Sequence, residues 1–209
     1  MKTIAVTLAA DGSSDRCLIH PLRWAITQAL RNHGARELIR FVFAQVPANP
    51  LPQRIQKAVE DYPCDILIVH RDAEREDASR RFQEIEKALA DAAATTVSVG
   101  VVPIRMSEAW LLISEPAIRT AAANPSGRTP LNLPPISALE SLPDPKGVLR
   151  NAILDASNAN GRRRDRLKRD LPIRVQRVAE NIEDYSLLRE LTAFKRFEKD
   201  FERAIAQLK

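Results

Sequence analysis

The chain has 209 residues, 44% of them hydrophobic, and a formal net charge of +5. That length suits one large domain or a domain with a helical annex, and the apolar share excludes wholesale disorder. No apolar run approaches the ~20 residues that span a bilayer, and Asp11 and Asp15 interrupt the start too early for a secretory leader, so a cytoplasmic protein is expected.

Residues 3–9, TIAVTLA, predict a short buried strand. Asp11-Gly12-Ser13-Ser14 is turn chemistry, and Ser13 or Ser14 is expected to cap the next helix. Leu18, Leu22, Ala25, Ile26, Ala29 and Leu30 recur at helical spacing up to Gly34, with a kink or restart expected at Pro21. Residues 37–43 predict a second strand, 51–61 a short helix, and 65–70, DILIVH, a strand buried on both faces. An amphipathic helix follows over 79–93, then a fourth strand over 97–103, then a helix opened by Ser107. The alternation predicts an α/β fold: an open parallel sheet of about four strands with helices on both faces, in residues 1–123.

The second half changes character. Residues 124–145 hold six of the 14 prolines and read as an extended wrapping segment. Residues 146–209 read as a helical cap on the core: about 146–158, then 163–182 with a break at Pro172, then 186–208. On the last helix Phe194, Phe197 and Phe201 are spaced to dock on the sheet. Segment 161–177 carries eight Lys/Arg against two Asp, and the rest of the chain is close to neutral. Arg162, Arg163, Arg164, Arg166, Lys168 and Arg169 are therefore the expected nucleic-acid contacts, with a solvated helical face as the alternative.

Two acidic groups fall where open parallel sheets bind ligands, beyond the carboxyl ends of strands. Asp11 follows the first strand, and Asp72 and Glu74 follow the third. In an extended segment Asp72 and Glu74 point the same way and can share one Mg²⁺ or Mn²⁺. The alternative is that these acids cap helices or lie in a solvated surface. His20, His33 and His70 share no ligand spacing; His70 abuts the acidic pair and is either a phosphate contact or a plain strand-end histidine. Trp110 suits core packing, and Lys146 stands at a helix start near the sheet edge. Cys17 and Cys64 show no metal or redox spacing and suit a reducing compartment. The absence of G-x-x-x-x-G-K-[ST] and of G-x-G-x-x-G after the first strand disfavours a P-loop ATPase and a dinucleotide-binding oxidoreductase.

The order of ADGSSD (10–15), ILIVHRDAE (66–74), VPIRMSEAWLL (102–112), LPPISALESLPDPK (133–146) and LTAFKRFEKDFERAI (191–205) resembles the TOPRIM (topoisomerase–primase) fold. It is most similar to small prokaryotic TOPRIM-like proteins related to the OLD nucleases. The resemblance implies Mg²⁺- or Mn²⁺-dependent cleavage of nucleic acid, with Asp11, Asp72 and Glu74 as metal ligands and Glu108 as a further catalytic acid. The family's arginine-then-Glu-Ala-Trp stretch maps onto Arg105, Glu108, Ala109 and Trp110. It also implies a setting in prokaryotic defence or mobile elements, sometimes beside an ATPase partner. Two positions depart from the family pattern: Asp stands for Glu at 11, and Glu for Asp at 74. Carboxylates displaced by more than ~1 Å can cost ~100-fold in rate, so a degenerate module that binds nucleic acid or a partner protein is the alternative.

Overall fold

In the computed structural model, which describes residues 3–32, 38–47 and 50–208, four strands form one parallel sheet in the order β2-β1-β3-β4. They are β1 (Thr3–Ala9), β2 (Leu38–Phe43), β3 (Ile66–His70) and β4 (Val97–Val101). The expected α/β class and parallel pairing are therefore present, with β3 starting one residue later and β4 ending two residues earlier than expected. Glu37, His33 and Gly34 lie outside the described residues. No described helix is long and apolar enough to cross a membrane.

β3 is central, and every residue of ILIVH is buried. Its side chains alternate between two apolar clusters. Ile66 and Ile68 join Ile4, Val6 and Leu8 of β1 against α1 (Ile19–Asn32) and the helices of the second half. Leu67 and Val69 face α2 (Leu51–Asp61) and α3 (Ala78–Asp91). Helices thus cover both faces; the central strands β1 and β3 are largely buried, and the edge strand β2 is partly exposed.

Several local expectations are corrected. Neither Ser13 nor Ser14 caps a helix. Residues Ser13–Leu18 form a 3₁₀ turn, and the Asp15 carboxylate accepts from the Gly12 N–H at 2.9 Å. At Pro21 the restart rather than a kink is found: the 3₁₀ turn gives way to α1 at Ile19, and Pro21 sits in its first turn, where N–H groups have no intrahelical acceptor anyway. The stretch after Ser107 is only a 3₁₀ turn (Ser107–Leu111); the helix is α4 (Glu115–Ala121), capped by the Ser114 hydroxyl accepting from Ala117 N–H.

The second half consists of α5 (Pro145–Ala156), α6 (Gly161–Asn181), a 3₁₀ turn at Ser186–Glu190 and α7 (Thr192–Gln207). α6 runs through Pro172 without the expected break. Pro172 faces solvent, while Leu167, Leu171, Val175 and Val178 stay buried on the opposite side and hold the helix together across the lost hydrogen bond. On α7, Phe194, Phe197 and Phe201 are buried on the core side of the helix as the spacing predicts. Phe194 meets the edge of Trp110 at a centroid distance of 5.2 Å, so Trp110 is a core residue. The proline-rich segment is pinned at its far end, where Glu140 accepts from the Ala193 N–H at the start of α7.

Candidate metal centre

The chain leaves β1 toward β2 on one side and β3 toward β4 on the other, so the strand order reverses between β1 and β3. Crevices at such reversals, beyond the carboxyl ends of the strands, are where open α/β sheets bind ligands. Here the structure brings together Asp15, His70 and Asp72, with one ligand atom from each within 4.8 Å of the others.

The geometry follows from strand alternation. His70 ends β3 on the same face as Ile66 and Ile68, and Asp72, two residues on, falls on that face too. The alternation does not reach Glu74, because the chain turns first: Glu74 has φ 54° and its amide donates to Arg105 O at 2.7 Å. Its carboxylate is exposed and lies 3.7 Å from Arg81. Asp11 is engaged elsewhere as well, in ion pairs with Arg54 of α2 and with Arg71 Nε at 3.2 Å. Of the three acids expected to share an ion, only Asp72 lies in the cluster. Asp15 and His70 fill the other places.

His70 is fully buried. Its Nδ1 lies 3.3 Å from Val101 O, a contact that takes a proton on Nδ1, so that in the neutral ring Nε2 carries the lone pair. Nε2 has no hydrogen-bond partner. It is aimed between two carboxylates, 3.8 Å from Asp15 Oδ2 and 3.6 Å from Asp72 Oδ1. Two ligand bonds of about 2.1 Å to one ion can span up to about 4.2 Å, so both separations fit a shared cation. Metal-binding histidines commonly donate their other N–H to a backbone carbonyl, as His70 does here.

The carboxylates are held as rigidly. Asp15 accepts from Gly12 N–H and from the Ser14 hydroxyl at 3.1 Å. Asp72 Oδ1 accepts from Ser107 N–H at 2.9 Å. Burial pushes the Asp72 carboxyl up to about 7; Asp15 and Glu108 add to the rise, and His70 opposes it. The Cys17 thiol is pushed up by burial and by the charges of Glu108, Asp15 and Asp72. Glu108, also buried, pairs with Lys146 Nζ at 3.3 Å.

Beside the cluster lies a cleft of about 280 Å³ lined by Ser13, Ser14, Glu108, Lys146, Arg150 and part of α6. The expected nucleic-acid residues lie farther along the same helix. Arg164 is committed to Leu154 O and Asp155, and Lys168 to Asp165. Arg162, Arg163, Arg166 and Arg169 are exposed and make no ion pair among the described residues.

Comparison with family models, curated proteins and solved structures returned no match. The TOPRIM resemblance thus stands on its motifs alone, and the functional reading stands on the site.

Sequence reasoning missed Asp15 as a member of the cluster and left His70 without a firm role, although both carried a signal. For Asp15 it was the compact GSSD turn after a buried strand. For His70 it was a polar residue closing a fully apolar run, where burial demands a partner.

Proposed function

We propose that this chain is a divalent-metal-dependent phosphodiesterase acting on nucleic acid, with Asp15, His70 and Asp72 as the metal ligands. One observation carries the reading: a fully buried imidazole nitrogen without a hydrogen bond, aimed between the buried Asp15 carboxylate and the partly buried Asp72 carboxylate. An orphaned buried acceptor beside uncompensated acids is costly, and a cation between them removes both penalties. Carboxylates alone suit Mg²⁺, while an imidazole in the set shifts preference toward Mn²⁺. Such an ion, when bound, lowers the pKa of water and offsets phosphate charge.

The chain's own groups supply the rest. The oxygens nearest His70, Asp15 Oδ2 and Asp72 Oδ1, already accept the Gly12 and Ser107 N–H groups, which orient both carboxylates and leave each oxygen a second lone pair for a cation. Glu108 is the acceptor for the proton of the attacking water, and the sheet end and helices exclude bulk solvent around it. Arg162, Arg163, Arg166 and Arg169 of α6 hold the polyanion. A non-enzymatic binding module is the second reading, favoured by the diversion of Asp11 and Glu74 into arginine pairs.

Electron paramagnetic resonance titration with Mn²⁺, run beside a cleavage assay, tests the proposal. One ion per chain is expected, with His70→Gln weakening it at least about tenfold, the scale seen when even outer partners of metal ligands are removed. Asp11→Asn should leave Mn²⁺ affinity unchanged. Binding of Mn²⁺ without cleavage of any strand favours the binding module, and no Mn²⁺ binding ends the metal reading. Separately, Arg162/Arg166/Arg169→Ala is expected to flatten the salt dependence of single-strand binding by about 2 in log–log slope, at roughly 0.7 per phosphate contact. An unchanged slope would show that the arginines do not touch phosphate.

A further inference from the structure

α6 carries more than a scattering of charge. At 3.6 residues per turn, Arg162, Arg166, Arg169 and Ile173 fall within about 60° of one another and form a single stripe. The stripe rises about 16 Å and ends at the cleft beside the metal cluster, which Pro172, Ile173, Val175 and Gln176 wall on one side. Ile173 is 61% exposed, one of the few large apolar side chains left open on the molecule. Lys146 and Arg150 face it from α5, one helical turn apart on one side of that helix. Lys146 is partly exposed and held only by Glu108; Arg150 is exposed and makes no ion pair among the described residues. Gln176 ties the wall to the site by donating to Ser14 O at 2.9 Å, next to Asp15.

The cleft therefore joins two cations and an apolar wall in about 280 Å³, and is bounded by Ser14 and Glu108 on the side of the acidic cluster. That is slightly under the ~300–1,000 Å³ of pockets for drug-sized ligands, so it has room for one nucleotide and not for a duplex. We propose that the cleft takes the terminal, phosphate-bearing nucleotide of a single strand. Lys146 and Arg150 bind the terminal phosphate, Ile173 and Pro172 contact the sugar and base, and the next phosphates follow Arg169, Arg166 and Arg162. The substrate class implied is a strand end, not an internal site. This rests on the metal-dependent reading above for what happens to the strand, but its recognition step does not require the ion.

The test uses the full-length protein and one short oligodeoxynucleotide in four forms. These are 5′-phosphorylated linear, 3′-phosphorylated linear, linear with two hydroxyl ends, and covalently circular. Affinities are measured by fluorescence anisotropy at low salt in EDTA, and Mn²⁺ binding by electron paramagnetic resonance on the same preparations. At least one phosphorylated linear form is expected to bind about tenfold or more tighter than the circle, the scale of one charge-assisted hydrogen bond. Which one it is gives the polarity of the strand in the cleft. Ile173→Asp, Lys146→Gln and Arg150→Gln should each shrink that preference, while Arg162/Arg166/Arg169→Gln should weaken all four forms alike. Equal affinity for circle and phosphorylated ends, an undiminished preference in the three cleft variants, or no binding of any form would overturn the inference. A clear end preference without Mn²⁺ binding would uphold end recognition and defeat only the metal-dependent function.

Discussion

Phe194→Ala is expected to cost about 3–5 kcal/mol of stability, the range for removing a buried aromatic ring and leaving a cavity. For a domain of this size that lowers the melting temperature by on the order of 10 °C. Phe194 is fully buried on α7 and meets Trp110, Trp24 and Phe197. No single rearrangement can refill a space bounded by three rings from different elements. The effect should also reach the site. Trp110 lies in the same 3₁₀ turn as Ser107 and Glu108, and Ser107 N–H fixes Asp72. With the ring removed, that turn loses its packing from below, so Mn²⁺ affinity should fall together with stability. Conservative Phe194→Leu should restore most of both. Thermal melts and Mn²⁺ titration of the two variants check this; a large stability loss with unaltered Mn²⁺ affinity would show that the turn is held by its own backbone.

The sheet was legible in the sequence because each strand was a short apolar run and a parallel sheet buries both of its faces. Phe194, Phe197 and Phe201 were legible because helical spacing shows directly which side chains share a face. Turns were harder. Ser107 and Ser114 are both good caps by residue type, but Ser107 is the first residue of a 3₁₀ turn without a cap hydrogen bond, whereas Ser114 caps α4. At the site, Asp72 could be placed because strand alternation continues two residues past His70. The same rule failed at Glu74, where the backbone enters the left-handed region, a conformation that non-glycine residues adopt only when their surroundings impose it. Arg105, at φ 68°, lies across from it: the Glu74 N–H donates to the Arg105 carbonyl, and the Glu74 carbonyl accepts from the Arg105 guanidinium. Nothing local predicts such a pair. Asp11 was misplaced for a related reason: its direction is set by Arg54, 43 positions away in sequence.

Asp72→Asn should make the metal-free protein more stable at neutral pH while abolishing Mn²⁺ binding and any cleavage. Burial holds the Asp72 carboxyl at about 7 in the folded chain, against 3.8 for the ordinary side chain. Between those values the folded chain keeps a proton that the unfolded chain has released. Stability therefore falls as pH rises from about 4 to about 7, and is level above that. The charged form costs on the order of a few kcal/mol at pH 8, since every tenfold weakening of an acid on folding corresponds to about 1.4 kcal/mol. Asparagine has nearly the same shape and its carbonyl oxygen can still accept from Ser107 N–H, so the packing survives while the charge goes. Other groups titrate over the same range, so the quantity to measure is the difference in unfolding free energy between variant and wild type, in EDTA. It should be near zero at pH 4, grow in favour of the variant through pH 7 and then stay constant. Mn²⁺ should erase the difference by stabilising the wild type alone, because a ligand that binds only the folded state raises its stability by mass action. A proton on Asp72 competes with the ion, so Mn²⁺ affinity of the wild type should rise with pH and level off above about 7. A variant that is no more stable than wild type at pH 8 would mean that Asp72 carries its charge without penalty. The case for a cation between Asp15, His70 and Asp72 would then lose its energetic basis.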